Sequence, residues 1–179
     1  MITLVIGTQD SGKSALAEDL AQESGGKLYY LATMKVCDED GRKRIERHRK
    51  ARKGKGFETI ERQIRIPDAV ADIDDHEEAT VLLECMANLV ANEMYDNPER
   101  NRETLASEVA EEVIRLAGQI KHLIVVTNEY EQDGEGYDES TREYVSLLSR
   151  ANTILAAKAD RVLDVRKDMK KYKNLNRYR

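Results

Sequence analysis

The sequence predicts an α/β fold in which a mostly parallel sheet carries helices on both faces. Short runs of β-branched and aliphatic residues, typical of buried strands, alternate along the chain with longer stretches of helical periodicity. This alternation favours helical crossovers between parallel strands. The chain has 179 residues, of which 35% are charged and 5% aromatic. We therefore expect a single domain over residues 1–166 with an aliphatic core.

The first predicted strand and helix enclose a glycine-containing loop. Residues 2–6 form an apolar run, and residues 14–23 have helix-forming composition. Between them, G-T-Q-D-S-G-K-S fits the phosphate-loop pattern G-x-x-x-x-G-K-[ST] at every fixed position. Such a loop aims backbone N–H groups and a helix dipole at phosphate. The predicted nucleotide contacts are Gly7, Thr8, Gln9, Asp10, Ser11, Gly12, Lys13 and Ser14.

Two residues of this loop have predicted chemical roles. Lys13 would neutralise charge on the β- and γ-phosphates and is therefore a candidate catalytic residue. Ser14 would offer its hydroxyl oxygen to Mg²⁺. The loop thus predicts a site for a nucleoside triphosphate and its metal ion.

The remaining elements are predicted from periodicity and from turn residues. A polar segment rich in Arg and Lys, residues 37–55, has the spacing of a helix, and Pro67 fits the first turn of a short helix that ends at Ile73. We expect further strands at 27–33, within 57–66, and at 79–84, 122–127 and 161–165. The other predicted helices are 86–94, 104–119 and 140–158.

Glu84 closes the predicted strand 79–84, where an unpaired carboxylate is costly to bury. We expect this strand to adjoin the phosphate loop, so that Glu84 could hold Mg²⁺ directly or through water. Alternatively, Glu84 could cap the N-terminus of the following helix.

Composition and charge exclude several classes of function. The net charge of −5 argues against nucleic-acid binding by the whole molecule. No stretch approaches the length of a membrane span, and the N-terminal apolar run does not resemble a signal peptide. Cys37 and Cys85 form no metal-binding pattern. We expect a cytoplasmic protein whose basic tail, residues 167–179, is partly disordered.

Several short motifs after the phosphate loop resemble, in their order, those of one enzyme family. The motifs are L-Y-Y-L-A-T, R-I-E-R-H-R-K-A-R, F-E-T-I-E, L-L-E-C and V-V-T-N-E. They resemble the bifunctional adenosylcobinamide kinase / adenosylcobinamide-phosphate guanylyltransferases of cobalamin assembly, and the similarity covers residues 2–165. This resemblance implies a RecA-like fold and a homotrimer.

The resemblance also implies two linked reactions on a corrinoid substrate. The family phosphorylates adenosylcobinamide with GTP or ATP. It then transfers GMP from GTP to the new phosphate through a guanylyl-histidine, which gives adenosyl-GDP-cobinamide. By matching position, His48 resembles the guanylylated histidine. The implied nucleotide-site residues are Ala32, Thr33, Met34, Arg52, Glu61 and Glu84.

Simpler roles exist for two of these residues. His48 could be a surface histidine on a basic helix, and Glu61 could be one charge on an exposed strand edge. However, a neutral imidazole is a good nucleophile toward phosphorus, and neighbouring cations favour its neutral form. Together with the family resemblance, this chemistry favours a catalytic role for His48.

The last third of the chain departs from the family pattern. Tyr130 and the following E-Q-D-G-E-G-Y-D replace a loop that contains glycine and proline, and Asn152-Thr153 stands in place of an Asn-Gln pair. We expect these changes to affect the corrinoid side of the site. Two other functions stay open, a single-activity small-molecule kinase and a GTP-binding regulatory protein, although the sequence lacks the N-K-x-D guanine motif.

Overall fold

The computed structural model describes residues 1–36, 39–131 and 134–165. Within these residues the chain forms one six-stranded sheet in the order β3-β2-β4-β5-β1-β6, and every pairing is parallel. The predicted parallel sheet is therefore confirmed. Its strands are β1 (Ile2–Gly7), β2 (Leu28–Ala32), β3 (Phe57–Glu61), β4 (Thr80–Leu83), β5 (His122–Asn128) and β6 (Arg161–Asp164).

Helices connect these strands, as the alternating sequence pattern predicts. In the described residues they are α1 (Lys13–Ser24), α2 (Glu39–Arg52), α3 (Met86–Asp96), α4 (Arg102–Ala117) and α5 (Glu139–Lys158), with two 3₁₀ helices at Ile66–Asp72 and His76–Glu78. Helix α4 begins two residues before its predicted start because the Asn101 side chain accepts a hydrogen bond from the backbone N–H of Glu103 at 2.9 Å.

Two hydrophobic clusters cover the opposite faces of the sheet. One cluster joins residues such as Val5, Leu82 and Ile124 to Ala17 and Ala21 of α1. The other joins the alternate strand residues to the apolar faces of α3, α4 and α5. Because successive side chains of a strand point to opposite faces, each central strand contributes to both clusters. Helices therefore lie on both faces, as predicted.

The position of β4 corrects one expectation. The strand that precedes Glu84 does not adjoin the phosphate-loop strand, because β5 pairs with β1 on one side and with β4 on the other. All seven residues of β5 are buried, so this strand is suited to a central place in the sheet. The loop and Glu84 nevertheless lie at the same edge, where the carboxyl ends of all parallel strands meet.

Some expectations concern residues outside the described ranges. Cys37 and the predicted tail, residues 167–179, belong to this group. Cys85 is described and is a free cysteine. In the described part of the chain, no helix combines the length and the apolar composition that crossing a membrane requires.

Candidate active site

The phosphate loop connects β1 to α1 through unusual backbone geometry. Gly12 has a φ of +80° and directly precedes the helix, and Asp10 has a φ of +56°. A Cβ atom on Gly7 would lie 2.4 Å from Ser11 Oγ, so this position requires glycine. No side chain caps the N-terminus of α1. Its first N–H groups are thus suited to bind phosphate.

The side chain of Lys13 folds back over the loop that precedes it and contacts the loop backbone. Its ammonium group donates a hydrogen bond to the carbonyl oxygen of Thr8 at 2.9 Å. Thr8, Gln9 and Asp10 are exposed, and Ser14 is partly exposed in the first turn of α1. The loop is therefore open to a ligand, with a cation held beside it.

Strand register brings two predicted acidic residues together on the sheet face that α1 covers. Ala32 at the end of β2 pairs with Glu61 at the end of β3. On the other side of β2, the N–H of Glu84 donates to the carbonyl of Leu31 at 3.0 Å. Strand alternation places Glu84 on the same face as Leu82, which packs against α1. Glu61 and Glu84 therefore flank Ala32.

Helix α2 completes a cavity of about 240 Å³ above these strand ends. Its wall consists of residues from β2, α2 and β3 and from the segments that follow β2, β3 and β4. No residue of the phosphate loop, residues 7–14, lines it. The predicted site residues that line it are Ala32, Met34, His48, Arg52, Glu61 and Glu84. The structure thus brings together six of the implied residues, while the phosphate loop lies outside the cavity wall.

Arg52 has a buried side chain that lines this cavity. The residue is only 7% exposed, and its guanidinium carbon lies 3.3 Å from the centroid of the Tyr30 ring. Its Nη1 atom is buried and has no hydrogen-bond partner among the described residues. A buried donor without a partner is uncommon, so this atom is suited to bind an anionic group of a ligand.

The two carboxylates of the cavity have different surroundings. Glu61 accepts a hydrogen bond from Arg49 Nη2 at 2.6 Å, and both side chains are more than half exposed. Glu84 does not cap α3, because the cap position belongs to Cys85 and no side chain makes a capping bond there. The structure therefore contradicts the capping role for Glu84. Glu84 is one of the residues that line the cavity.

Thr33 is placed differently from the other implied residues. Its side chain is fully buried, and its hydroxyl donates to the carbonyl oxygen of Cys85 at 2.9 Å. The Asn92 side chain donates to the carbonyl oxygens of Thr33 at 2.8 Å and Gln63 at 2.9 Å. These bonds join the segments that follow β2, β3 and β4. The hydroxyl of Thr33 is therefore used in a structural bond beside the cavity.

A buried amide network lies at the end of β5, beside the phosphate loop. Thr127 Oγ1 donates to Asn152 Oδ1 at 2.8 Å, and Asn152 Nδ2 donates to the carbonyl of Asn128 at 3.0 Å. Asn128 pairs with Gly7 in the sheet. Asn152 therefore fixes the backbone next to the loop, and the departure from the family's Asn-Gln pair falls on the neighbouring Thr153.

The other two histidines lie away from the cavity wall. His122 begins β5 at the opposite edge of the sheet, and its ring nitrogens bond to Thr3 Oγ1 at 2.9 Å and Ser24 Oγ at 2.8 Å. Burial, together with the N-terminal ammonium group, lowers the pKa of His122 to about 4. His76 lies in a 3₁₀ helix before β4. The two bonded ring nitrogens of His122 indicate a structural role.

Sequence reasoning missed Tyr30, which is 3% exposed and also lines the cavity. Burial, and next the charge of Glu84, raises the pKa of its hydroxyl. The alternation of side chains along a strand could have predicted this position. Tyr30 lies two residues before Ala32, so the two side chains lie on the same face of the sheet. The position of Arg52 above the ring could not be read from β2 alone.

The donors for a metal ion are few. Among the described residues, no cluster of three or more His, Cys, Asp or Glu side chains could hold an ion. Mg²⁺ typically takes one or two protein oxygens and completes its shell with phosphate oxygens and water. The hydroxyl of Ser14 and the carboxylate of Glu84 are oxygen donors of this kind, so they fit such an ion.

An all-parallel sheet of this order, with a phosphate loop between β1 and α1, defines a P-loop nucleotide-binding protein of the RecA-like α/β class. Residues 3–169 match the family model described as cobinamide kinase / cobinamide phosphate guanyltransferase. The chain belongs to this family of bifunctional enzymes of cobalamin biosynthesis. The resemblance seen in the sequence motifs is therefore confirmed.

Two curated relatives show the extent of the similarity. Over 173 residues the chain is 30% identical to the bifunctional adenosylcobalamin biosynthesis protein CobU of Escherichia coli (strain K12), with 90% of this chain and 93% of the relative covered. Over 168 residues it is 32% identical to the bifunctional adenosylcobalamin biosynthesis protein CobP of Pseudomonas aeruginosa, with 90% and 91% covered.

Proposed function

We propose that this protein phosphorylates adenosylcobinamide with GTP or ATP and then transfers GMP from GTP to adenosylcobinamide phosphate. The product of the second reaction is adenosyl-GDP-cobinamide. The observation that carries the proposal is the meeting of His48, Arg52, Glu61 and Glu84 in one cavity at the carboxyl edge of the sheet. Membership of the family supports the choice of substrate.

The first reaction is phosphoryl transfer at the phosphate loop. The hydroxyl oxygen of the substrate attacks the γ-phosphorus, the bond to the β–γ bridging oxygen breaks, and the nucleoside diphosphate leaves. The hydroxyl proton passes to water. Catalysis of such a transfer depends mainly on positioning and charge neutralisation. The uncapped N–H groups of α1 and the ammonium group of Lys13 are suited to both tasks.

Ser14 and Glu84 would hold Mg²⁺ for this reaction. When bound, the ion would neutralise charge on the phosphates. The Glu84 carboxylate makes no capping bond and borders the cavity, which leaves it available as a ligand.

The second reaction needs a nucleophile, and we assign that role to His48. A ring nitrogen attacks the α-phosphorus of GTP, the bond to the α–β bridging oxygen breaks, and pyrophosphate leaves. A phosphate oxygen of adenosylcobinamide phosphate then attacks the same phosphorus, the N–P bond breaks, and the imidazole is restored. Arg52, whose Nη1 lacks a partner, is suited to stabilise the charge on the α-phosphate.

His48 and the phosphate loop must come together for this second step. Because no residue of the loop lines the cavity that contains His48, we propose that α2 approaches the phosphates when the nucleotide is bound. We also propose the homotrimeric assembly that the family resemblance implies and the cytoplasmic setting that the sequence composition predicts. Sedimentation analysis of the purified chain tests the assembly, and a monomer would contradict it.

The reaction products test the function directly. The purified protein is incubated with GTP, Mg²⁺ and adenosylcobinamide, and both substrates are followed by mass spectrometry. We expect adenosylcobinamide phosphate first and adenosyl-GDP-cobinamide later, with release of pyrophosphate. A single-activity kinase would stop at the phosphate. A regulatory GTP-binding protein would leave the corrinoid unchanged, and either result would contradict the proposal.

A further inference from the structure

We propose that Tyr30 is a positioning residue, which holds Arg52 and Glu84 apart and directs them toward the triphosphate and its metal ion. This inference rests on the proposed function, because it assumes that these two side chains contact the nucleotide. Tyr30 itself is not proposed to touch a reacting atom.

The first observation is the contact between Tyr30 and Arg52. The guanidinium carbon lies 3.3 Å from the ring centroid, which is the distance of direct stacking. Arg52 is the last residue of α2, whereas Tyr30 lies inside β2. The Tyr30 ring is thus a platform, fixed in β2, against which the Arg52 side chain at the end of α2 packs. A stacked guanidinium group keeps its edge free for hydrogen bonds, as the unpartnered Nη1 shows.

The second observation is the proximity of Tyr30 and Glu84. Both residues line the same cavity, and strand alternation puts them on the same face of neighbouring strands. Burial, and next the charge of the Glu84 carboxylate, raises the pKa of the Tyr30 hydroxyl, which indicates that the two groups lie close together. The ring face of Tyr30 therefore contacts the guanidinium group of Arg52, and Glu84 lies on the same face of the sheet as Tyr30.

The third observation is that the ring itself is held firmly. Tyr30 is 3% exposed, and the Phe57 ring meets it edge to face at a centroid separation of 6.2 Å and an interplanar angle of 81°. In this geometry the positive edge of one ring faces the negative face of the other. The platform is therefore fixed by the sheet.

The arrangement has a chemical consequence. An arginine and a glutamate in one cavity would normally pair with each other, yet Arg52 forms no salt bridge within the described residues. Because Arg52 stacks on Tyr30 and is not paired with Glu84, each charged group stays available for a ligand of opposite charge. For Arg52 that ligand is a phosphate oxygen, and for Glu84 it is Mg²⁺.

The test measures nucleotide binding by the full chain, with and without Mg²⁺. The probe is the GTP analogue with a methylene bridge between the α- and β-phosphorus, because GMP cannot be transferred from it. The variants are Tyr30→Phe, which keeps the ring, and Tyr30→Leu, which removes it. The matched controls are Tyr29→Phe and Tyr29→Leu. Tyr29 is 1% exposed, and its hydroxyl contacts the backbone of Asp74 instead.

Tyr30→Leu should weaken binding about tenfold with or without Mg²⁺, because Arg52 loses its platform. In EDTA, the dissociation constant of Tyr30→Phe for the analogue should lie within about twofold of the wild-type value. Mg²⁺ should lower that constant about fivefold less in Tyr30→Phe than in wild type. The Tyr29 variants should bind like wild type. The thermal unfolding midpoints of the two Tyr30 variants and the two Tyr29 variants are also measured. They show whether weaker binding results only from a less stable fold.

Two further variants separate this inference from the proposed function. If Arg52→Ala and Glu84→Gln weaken binding but the Tyr30 variants bind like wild type, the positioning role of Tyr30 is overturned and the proposed function stands. If Arg52→Ala and Glu84→Gln bind like wild type, the cavity is not the nucleotide site and both proposals fail. Equal losses in the Tyr29 and Tyr30 variants would also overturn the positioning role.

Discussion

At the residue scale, the structure holds the two cations expected to meet phosphate by different contacts. Lys13 donates to Thr8 within its own loop, whereas Arg52 stacks on Tyr30. A phosphate group must replace the bond between Lys13 and Thr8, which is a modest cost because one hydrogen bond is exchanged for another with a charged acceptor. Arg52 needs no such exchange, since its Nη1 has no partner among the described residues.

Lys13→Ala should abolish both reactions and leave the fold intact. The loss of positive charge at the β- and γ-phosphates should slow each reaction by at least about 100-fold, since such groups contribute several kcal/mol in the transition state. Steady-state assays of the two reactions check this. Lys158→Ala, at an exposed position in the last turn of α5, is the control. Near-normal turnover by a folded Lys13→Ala protein would show that another site performs the chemistry.

At the scale of elements, the sequence predicted the strands and helices well because each has a strong local signal. The phosphate-loop motif located β1 and α1, and the helical periodicity of residues 140–158 located α5. The order of the strands has no such signal, since it depends on contacts between distant segments. For this reason the strand of Glu84 was wrongly expected beside β1, and the meeting of Glu84 with Glu61 across Ala32 was not foreseen.

A partly buried ion pair joins the helix of the phosphate loop to the turn after α2. Lys55 Nζ lies 2.6 Å from Glu18 Oε2, and the Glu18 side chain is 6% exposed, against 29% for Lys55. Together with the stack of Arg52, this pair fixes the C-terminal end of the helix that carries His48.

Substitution of Lys55 and substitution of Glu18 should lower the free energy of unfolding by different amounts. Lys55→Met leaves a buried carboxylate without its partner and should lower the free energy of unfolding by about 2 kcal/mol. Glu18→Gln leaves a lysine that water can reach and should cost less. Urea denaturation of both variants and of the double variant measures the difference. Additive effects in the double variant would contradict a coupled pair.

At the scale of the whole molecule, the candidate site residues and the buried His122 lie at opposite ends of the sheet's strands. The phosphate loop, His48 and Glu84 lie toward the carboxyl ends of the strands, whereas His122 lies at the amino end of β5. Its low pKa therefore concerns stability and not catalysis. The unfolded chain, with an ordinary histidine pKa, binds a proton between about pH 6.5 and pH 4 that the folded chain does not bind.

Stability should consequently fall as the pH falls through this window. The contribution of His122 to the free energy of unfolding should decrease by about 2 kcal/mol between pH 7 and pH 5. His122→Asn should show a weaker dependence on pH in this range, even if it is less stable at pH 7. His76→Asn, at a partly exposed position, should keep the dependence of wild type. Equal pH dependence in wild type and His122→Asn would contradict the assignment.

The measurement that tests the central claim most directly is a search for a covalent GMP adduct. Wild-type protein is incubated with Mg²⁺ and GTP labelled at the α-phosphate, and the label is mapped by peptide mass spectrometry. We predict an acid-labile, base-stable adduct on His48, since a phosphoramidate is reactive once protonated. His48→Ala should lose the adduct and the guanylyl transfer while it keeps appreciable kinase activity. An adduct that survives in His48→Ala, or one that maps to His76 or His122, would contradict the account.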